Sequence, residues 1–260
     1  MAKVTVGVSL KMYFGHRQAA TWFDEVATRI RAHDAVRSGA VDLFITPSFL
    51  QVLPAIQAFA GTPVRVGGQD VAPADFGAFT GEVSAAELAE VGASIAEIGH
   101  AERRRLFAET DEVVAAKTAA ALRAGLTPLL CIGETTHQDP ADAATVAVAQ
   151  LQAALAGAPA GAVIVAYEPV WAIGAPEPAP HDHIRVVAAA LRAALDADAE
   201  RAGSVVIYGG AAGPGLLTAL GDDVDGVFLG RFAHDPDALV AVLDEAAELA
   251  RRRASTGGAA

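Results

Sequence analysis

The chain has 260 residues, which is long enough for one large domain with a well-buried core. Its net charge of −12 argues against a nucleic-acid partner, and charged residues interrupt every apolar stretch before it reaches membrane-spanning length. The single cysteine, Cys131, rules out an internal disulfide framework, and the strand-like start lacks a signal-peptide pattern, so we expect a cytoplasmic protein.

Short β-rich runs alternate with Ala-rich amphipathic segments along the whole sequence. The predicted strands cover residues 4–10, 41–45, 64–66, 94–98, 128–132, 163–166, 205–208 and 226–229. The predicted helices cover residues 18–31, 47–59, 85–91, 111–124, 143–155, 182–201, 215–220 and 236–251. This alternation predicts parallel strand pairing through right-handed crossovers. Eight such units in roughly 250 residues predict one α/β domain, a closed (β/α)8 barrel.

The predicted barrel covers residues 1–253, and the small, polar tail at 254–260 is expected to be disordered. The alternative architecture is an open doubly wound sheet. No G-x-G-x-x-G motif follows the first predicted strand, which counts against that alternative.

In such a barrel, chemistry gathers at the C-terminal ends of the strands. Glu168 follows the predicted strand at 163–166 and precedes Pro169, which disfavours helical backbone at Glu168 and holds it extended at the strand tip. The apolar segment beyond it ends in Gly174 and a Pro-rich run, which is typical of a closing flap. Glu168 is therefore a candidate general base. The alternative is a strand-end carboxylate that only caps the next helix.

Two more charged or titratable side chains occupy strand ends. Lys11 follows the first strand, where it is either solvated or placed to attract an anionic substrate. His100 precedes a short predicted helix at 101–106, whose N-terminal field favours the neutral imidazole, a hydrogen-bond donor to a carbonyl oxygen. Glu102 and the three arginines after it are predicted to form a structural ion network, with orientation of Lys11 as the alternative.

Glycine-bearing turns follow the last two predicted strands, at Gly209-Gly210-Ala211 and Gly230-Arg231. Barrels commonly bind phosphate there, through backbone N–H groups and a short helix N-terminus. His181 and His183 open a predicted helix and are interpreted as capping, solvated side chains rather than metal ligands.

Five motifs are distinctive: Ala166-Tyr167-Glu168-Pro169-Val170-Trp171-Ala172-Ile173-Gly174, Gly99-His100-Ala101-Glu102-Arg103-Arg104, Gly77-Ala78-Phe79-Thr80-Gly81-Glu82, Cys131-Ile132-Gly133-Glu134 and Tyr208-Gly209-Gly210. Together they resemble the triosephosphate isomerase family over essentially the whole chain. The resemblance implies a Glu base with a neutral His electrophile under a closing loop. It implies no metal and no organic cofactor.

The resemblance also assigns expected roles residue by residue. Glu168 would move a proton between adjacent carbons, His100 would polarise the oxygens of an enediol intermediate, and Lys11 would support binding and charge. The substrate-binding residues would be Ser9, Glu102, Gly174, Gly210, Ala211, Gly230 and Arg231. The family is typically dimeric, and the loop from Phe76 to Gly81 matches the loop that docks into the partner subunit.

This sequence departs from the family pattern around the expected substrate. Ser9 stands where the family has Asn, Ala101 and Ala211 where it has Ser, and Arg231 where it has Gly. The flap reads Gly174-Ala175-Pro176-Glu177 in place of Gly-Thr-Gly-Lys.

Three functions are therefore open. One is an isomerase that converts dihydroxyacetone phosphate to glyceraldehyde 3-phosphate, a reaction of glycolysis. Another is a paralogue that acts on a four-carbon ketose phosphate such as L-erythrulose 1-phosphate, for which Ser9 would open space. The third is a barrel that binds sugar phosphate as a sensor, against which the joint presence of Glu168, His100 and Lys11 argues.

Overall fold

A computed structural model describes residues 3–257. The strands are β1 (Val4–Ser9), β2 (Val41–Thr46), β3 (Arg65–Gly68), β4 (Ile95–Ile98), β5 (Thr127–Ile132), β6 (Ile164–Tyr167), β7 (Val205–Tyr208) and β8 (Gly226–Leu229). The α-helices in this range are α1 (His16–Ala32), α2 (Asp34–Arg37), α3 (Phe49–Ala58), α4 (Ala85–Glu90), α5 (Ala101–Phe107), α6 (Asp111–Arg123), α7 (Pro140–Leu155), α8 (His181–Asp196), α9 (Leu216–Leu220) and α10 (Pro236–Gly257).

The sheet is a closed barrel in which successive strands pair in parallel. Its closure is made by β1, which pairs with both β2 and β8. The predicted (β/α)8 barrel is therefore confirmed, and the open doubly wound sheet is wrong. Because all strands run in one direction, their C-terminal ends meet at a single rim.

The barrel interior is a packed apolar core. It consists of Phe44, Ile95, Leu129, Cys131, Ile164, Ala166, Ile207 and Phe228. The ring of Phe44 passes directly over Gly7, where a Cβ atom would lie 2.1 Å from the ring carbon Cζ. A glycine is therefore required at residue 7 for the large ring to fill the barrel. The interior supports the rim as a rigid base rather than leaving a pore.

Some element boundaries differ from the sequence-based expectations. The helix predicted over 182–201 ends at Asp196, because the Asp198 side chain accepts a hydrogen bond from the N–H of Glu200 and starts a separate 3-10 turn. The short helix α2 was not predicted. Helix α10 continues to Gly257, so residues 254–257 of the tail predicted to be disordered are helical. Residues 258–260 of that tail lie outside the described residues.

Among residues 3–257, none of the helices combines the length and the apolar composition needed to span a bilayer.

Candidate active site

Glu168 lies at the barrel rim directly after β6. Its N–H donates to the carbonyl of Ile132 at 2.7 Å, which extends the pairing of β6 with β5 by one residue. The carboxylate packs on the backbone of Gly209, where a Cβ atom would come within 2.6 Å of Glu168 Oε1. A Cβ atom at Gly133 would lie 2.0 Å from the Glu168 carbonyl oxygen. Both glycines are therefore needed to seat Glu168.

The Glu168 carboxylate is poised to accept a proton. The side chain is 6% exposed, and its Oε2 atom has no hydrogen-bond partner in the part of the chain that the structure describes. Burial raises the pKa of Glu168 to about 8, with a further contribution from the charge of Glu97, while the Lys11 ammonium opposes the rise. A buried carboxyl group with this pKa is a stronger base than an exposed one, as a proton-abstracting group requires.

His100 presents a neutral imidazole to Glu168. It is the N-cap of α5, and its Nδ1 atom accepts the N–H of Glu102 at 3.1 Å. Since Nδ1 accepts, the ring proton is on Nε2, which lies 3.6 Å from Glu168 Oε2. Burial and the nearby Lys11 charge lower the pKa of His100 to about 4. The ring can therefore donate a hydrogen bond beside Glu168 without carrying a charge.

Lys11 is fixed at the rim through both its backbone and its side chain. Its φ angle of 47° is in the left-handed region, which is uncommon for a residue other than glycine. The Gln69 amide donates to the carbonyl oxygens of Lys11 and Thr46, each at 2.9 Å, and holds this turn in place. The Lys11 Nζ atom lies 3.1 Å from Glu102 Oε1. Burial lowers the pKa of Lys11, but Glu102 and Glu168 outweigh it and leave the pKa raised.

Glu102 belongs to the site rather than to the structural ion network that we expected it to join. It pairs with Lys11, which is the alternative left open by the sequence. The network is instead built from Arg103 and Lys117, which pair with Asp70 and Glu109. This network ties α5 to α6 and to the segment that follows β3, and so fixes the helix whose N-cap is His100.

A cavity of about 630 Å³ opens between the flap and the side chains of Lys11, Glu102 and Glu168. The residues that line it include Ser9, Lys11, Glu102, Glu168, Gly174, Ala211, Gly230 and Arg231. Gly210 is buried behind this wall, where a Cβ atom would lie 2.6 Å from the Tyr208 hydroxyl oxygen. The structure thus brings together the residues that the sequence predicted at one rim. The Arg231 guanidinium lies beside Gly174, where a Cβ atom would be 3.6 Å from Nη2, and makes this part of the wall suited to an anion.

Hydrogen bonds hold the chain at both ends of the flap, which spans residues 170–177. At its start, Glu134 accepts from the indole Nε1 of Trp171 at 2.7 Å and from the hydroxyl of Tyr167 at 3.1 Å. At its end, the N–H of Ala179 donates to the Tyr208 hydroxyl at 2.9 Å. His183 is buried and its Nε2 atom lies 3.0 Å from Glu134, so the prediction that it is solvated was wrong. His181 is exposed.

Another buried carboxylate at the barrel mouth, Glu97, was not predicted from the sequence. It points into the barrel mouth from β4 and is 3% exposed. Its Oε2 atom accepts hydrogen bonds from the Ser9 hydroxyl at 3.0 Å and the Thr46 hydroxyl at 2.7 Å. Burial raises the pKa of Glu97 to about 7, against the effect of the hydrogen bonds from Thr46 and Ser9. A carboxylate inside an otherwise apolar four-residue strand was the signal that could have identified it.

Comparison with known proteins gives the family of this chain. A family model described as triosephosphate isomerase matches residues 4–246. The chain belongs to the triosephosphate isomerase family. The resemblance stated from the motifs is thereby confirmed.

Individual members of the triosephosphate isomerase family match almost the full length. The L-erythrulose-1-phosphate isomerase of Pectobacterium atrosepticum is 51% identical, over 94% of this chain and 96% of that protein. The triosephosphate isomerase of Leifsonia xyli subsp. xyli is 39% identical, over 90% of this chain and 93% of that protein. A crystal structure of triosephosphate isomerase from Bartonella henselae superposes with a TM-score of 0.80 at 29% identity, covering 94% of this chain and 98% of that one.

Proposed function

We propose that this protein isomerises a phosphorylated ketose by moving a proton between adjacent carbons, with Glu168 as the base. The observation that carries the proposal is the position of Glu168, which lines the cavity. Its Oε2 atom has no hydrogen-bond partner among residues 3–257 and lies 3.6 Å from the proton-bearing Nε2 of His100. A sensor that only binds sugar phosphate has no need for a buried, basic carboxylate at this position, and burying it costs stability.

The remaining groups fit the charge changes of this reaction. When Glu168 removes the proton from the carbon next to the carbonyl, negative charge develops on the oxygen atoms of an enediolate. The His100 Nε2–H group donates to these oxygens, and Lys11 stabilises the charge electrostatically. The phosphate group occupies the part of the cavity beside Gly174 and Arg231, against backbone N–H groups near Gly174, Gly210, Ala211 and Gly230.

The preferred substrate in this proposal is L-erythrulose 1-phosphate. It differs from dihydroxyacetone phosphate by a hydroxymethyl group on the carbon that loses the proton, so the site needs extra room there. Ser9, in place of the family's larger Asn, supplies this room at the cavity wall. The relative that is 51% identical bears the name of this activity.

Dihydroxyacetone phosphate is the second candidate substrate. The 39% identical relative is named for the triose reaction, and Glu168, His100 and Lys11 are the groups that this reaction needs. Both substrates use the same proton transfer, so the choice between them depends on the wall beside the reacting carbon.

Turnover of the two substrates, measured side by side, tests the proposal. We expect kcat/KM to be higher for L-erythrulose 1-phosphate, and we expect Ser9→Asn to lower this preference by about 10- to 100-fold because the larger amide fills the space of the hydroxymethyl group. Ser38→Asn, the same change at an exposed position, is the control and leaves both rates unchanged. If the protein turned over neither substrate, the proposed function would be rejected. If Ser9→Asn left the ratio of the two kcat/KM values unaltered, the role of Ser9 would be rejected.

We further propose that the protein acts in the cytoplasm as a homodimer, with a second copy of the chain packed on the loop from Phe76 to Gly81. Phe76 is 81% exposed and Phe79 49%, and Met12, directly after Lys11, is 90% exposed. Apolar side chains exposed to this extent are typical of contact surfaces.

Sedimentation measurements on the full chain test this assembly. We expect the mass of two chains for the wild type and of one chain for Phe76→Asp, because a charge in an apolar interface is not compensated. Leu106→Asp alters a side chain on α5 that is 65% exposed and is expected to leave the dimer intact. A monomeric wild type would contradict the proposal.

A further inference from the structure

Burying the Glu97 carboxylate is energetically unfavourable, and the proton transfer described above does not use this group. Removing a carboxylate from water is unfavourable unless strong partners compensate. The hydrogen-bond partners of Glu97 in the structure are two neutral hydroxyl groups, those of Ser9 and Thr46. The other members of β4 are apolar, and the strand pairs with β3 and β5 through its backbone. Forming this part of the barrel therefore does not require a carboxylate at residue 97.

The hydrogen bond between Ser9 and Glu97 determines which kind of group the cavity wall offers. Above its pKa of about 7, Glu97 is ionised, and an ionised carboxylate accepts hydrogen bonds and does not donate them. The only hydroxyl proton of Ser9 is therefore directed at Glu97 Oε2, 3.0 Å away. Ser9 also lines the cavity. Because its proton is already bound, its hydroxyl group can offer a ligand there only oxygen lone pairs. Thr46 is held by the same carboxylate oxygen at 2.7 Å and keeps Glu97 in place.

An acceptor at this position fits one part of the proposed substrate and not the others. The oxygens on the two reacting carbons carry the developing negative charge and need donors, which His100 and Lys11 supply. The phosphate group carries only acceptors at neutral pH, apart from a proton that it loses readily. The terminal hydroxyl of a four-carbon ketose phosphate is a donor, and dihydroxyacetone phosphate has no equivalent of it.

We propose that Glu97 is a specificity-determining positioning residue that, by binding the Ser9 proton, makes Ser9 the hydrogen-bond acceptor for the terminal hydroxyl of a four-carbon ketose phosphate. This inference rests on the proposed function. Glu97 acts through Ser9 and does not contact the substrate. The competing explanation is structural: Glu97 joins β4 to β1 and β2 through the two hydroxyl groups and has no effect on the choice of substrate.

The two explanations differ in what happens to the ratio of kcat/KM for tetrulose and triose phosphates. Glu97→Met has a similar length and no acceptor, so the Ser9 proton is released. Glu97→Gln can place its amide oxygen at the position of Oε2, where both hydroxyl groups donate, and so serves as the matched control. Assays at pH 9 keep Glu168 ionised, since its pKa in the wild type is about 8.

We expect Glu97→Met and Ser9→Ala each to lower the ratio of kcat/KM for L-erythrulose 1-phosphate to kcat/KM for dihydroxyacetone phosphate by about 10- to 100-fold. The double variant should be no worse than Ser9→Ala alone, because both changes remove the same hydrogen bond. Glu97→Gln should retain the wild-type ratio. Thermal unfolding of each variant reports any loss of stability separately.

The inference is overturned if Glu97→Met slows both substrates equally, or if the losses in the double variant add. If the wild type isomerises L-erythrulose 1-phosphate, either of these results rejects the inference about Glu97 but does not contradict the proposed function. A wild type that acts on dihydroxyacetone phosphate alone rejects the proposed substrate, and the inference with it.

Discussion

Replacing Glu168 with glutamine is expected to lower kcat/KM for either substrate by about 10²- to 10⁴-fold, the usual contribution of a positioned general base. The amide has nearly the same shape as the carboxyl group and fits against Gly209, but it cannot accept the substrate proton. The measurement is the loss of substrate isomerisation and of proton exchange with D₂O, followed by NMR. Binding of glycerol 3-phosphate, which has the phosphate group but no carbonyl, should be retained.

The same substitution should also stabilise the protein, increasingly so at higher pH. The carboxyl group of Glu168 has a pKa of about 8 in the folded chain against an ordinary value of 4.5. Between these two pH values the folded protein binds more protons at this group than the unfolded chain, so its contribution to stability falls as the pH rises through this window. Glutamine does not titrate, so the difference in Tm between the variant and the wild type should grow from pH 5 to pH 9.

Glu177→Gln is the matched control for both measurements. Glu177 is an exposed carboxylate on the flap, so its replacement removes the same charge without removing the base. We expect its turnover to remain within about 3-fold of the wild type, since exposed charges contribute little. Turnover by Glu168→Gln at the wild-type rate would show that another group removes the proton.

Replacing His100 with asparagine is expected to lower kcat by about 10²- to 10³-fold, the typical effect of losing one aimed donor to a developing negative charge. Asparagine is among the best N-cap residues, and its side-chain oxygen can accept the N–H of Glu102 in place of Nδ1. No atom of asparagine reaches the position of Nε2. The variant therefore removes the donor and preserves the start of α5.

The measurement for this variant combines steady-state kinetics with thermal unfolding. We expect Tm to stay close to that of the wild type, with the loss mainly in kcat, because the interaction strengthens as the enediolate forms. His181→Asn, the same change at the exposed start of α8, should leave both quantities unchanged. A large fall in Tm with unaltered kcat would mean that His100 only caps the helix.

The barrel could be predicted from the sequence because its pattern is local. Apolar runs of strand length alternate with amphipathic helical segments, and each run forms a strand that is paired in parallel with its neighbours. This pattern also determines which end of each strand carries chemistry, so Lys11, His100 and Glu168 could be selected as rim residues before their distances were known. The chain beyond residue 253 was harder to predict, because small residues at the end of a helix have only weak preferences.

The partners of the polar side chains could not be predicted in this way. Glu102 could equally have paired with the arginines beside it in sequence, and it pairs with Lys11 because the barrel brings the ends of β1 and β4 to one rim. The acceptor role of His100 Nδ1, which fixes the proton on Nε2, depends on the backbone geometry at the start of α5. Neither arrangement leaves a periodic trace in the sequence.

By itself, the sequence determined the closed (β/α)8 architecture and the rim position of the predicted reacting groups, because periodicity and strand order act between neighbouring segments. Only the tertiary structure decided how those groups are ionised and what the cavity wall offers a ligand. Ser9 and Glu97 are 88 residues apart in the chain and meet inside the barrel mouth. Burial there and the charges converging from separate strands set the pKa values of Glu97 and Glu168, and neither effect exists until the barrel has closed.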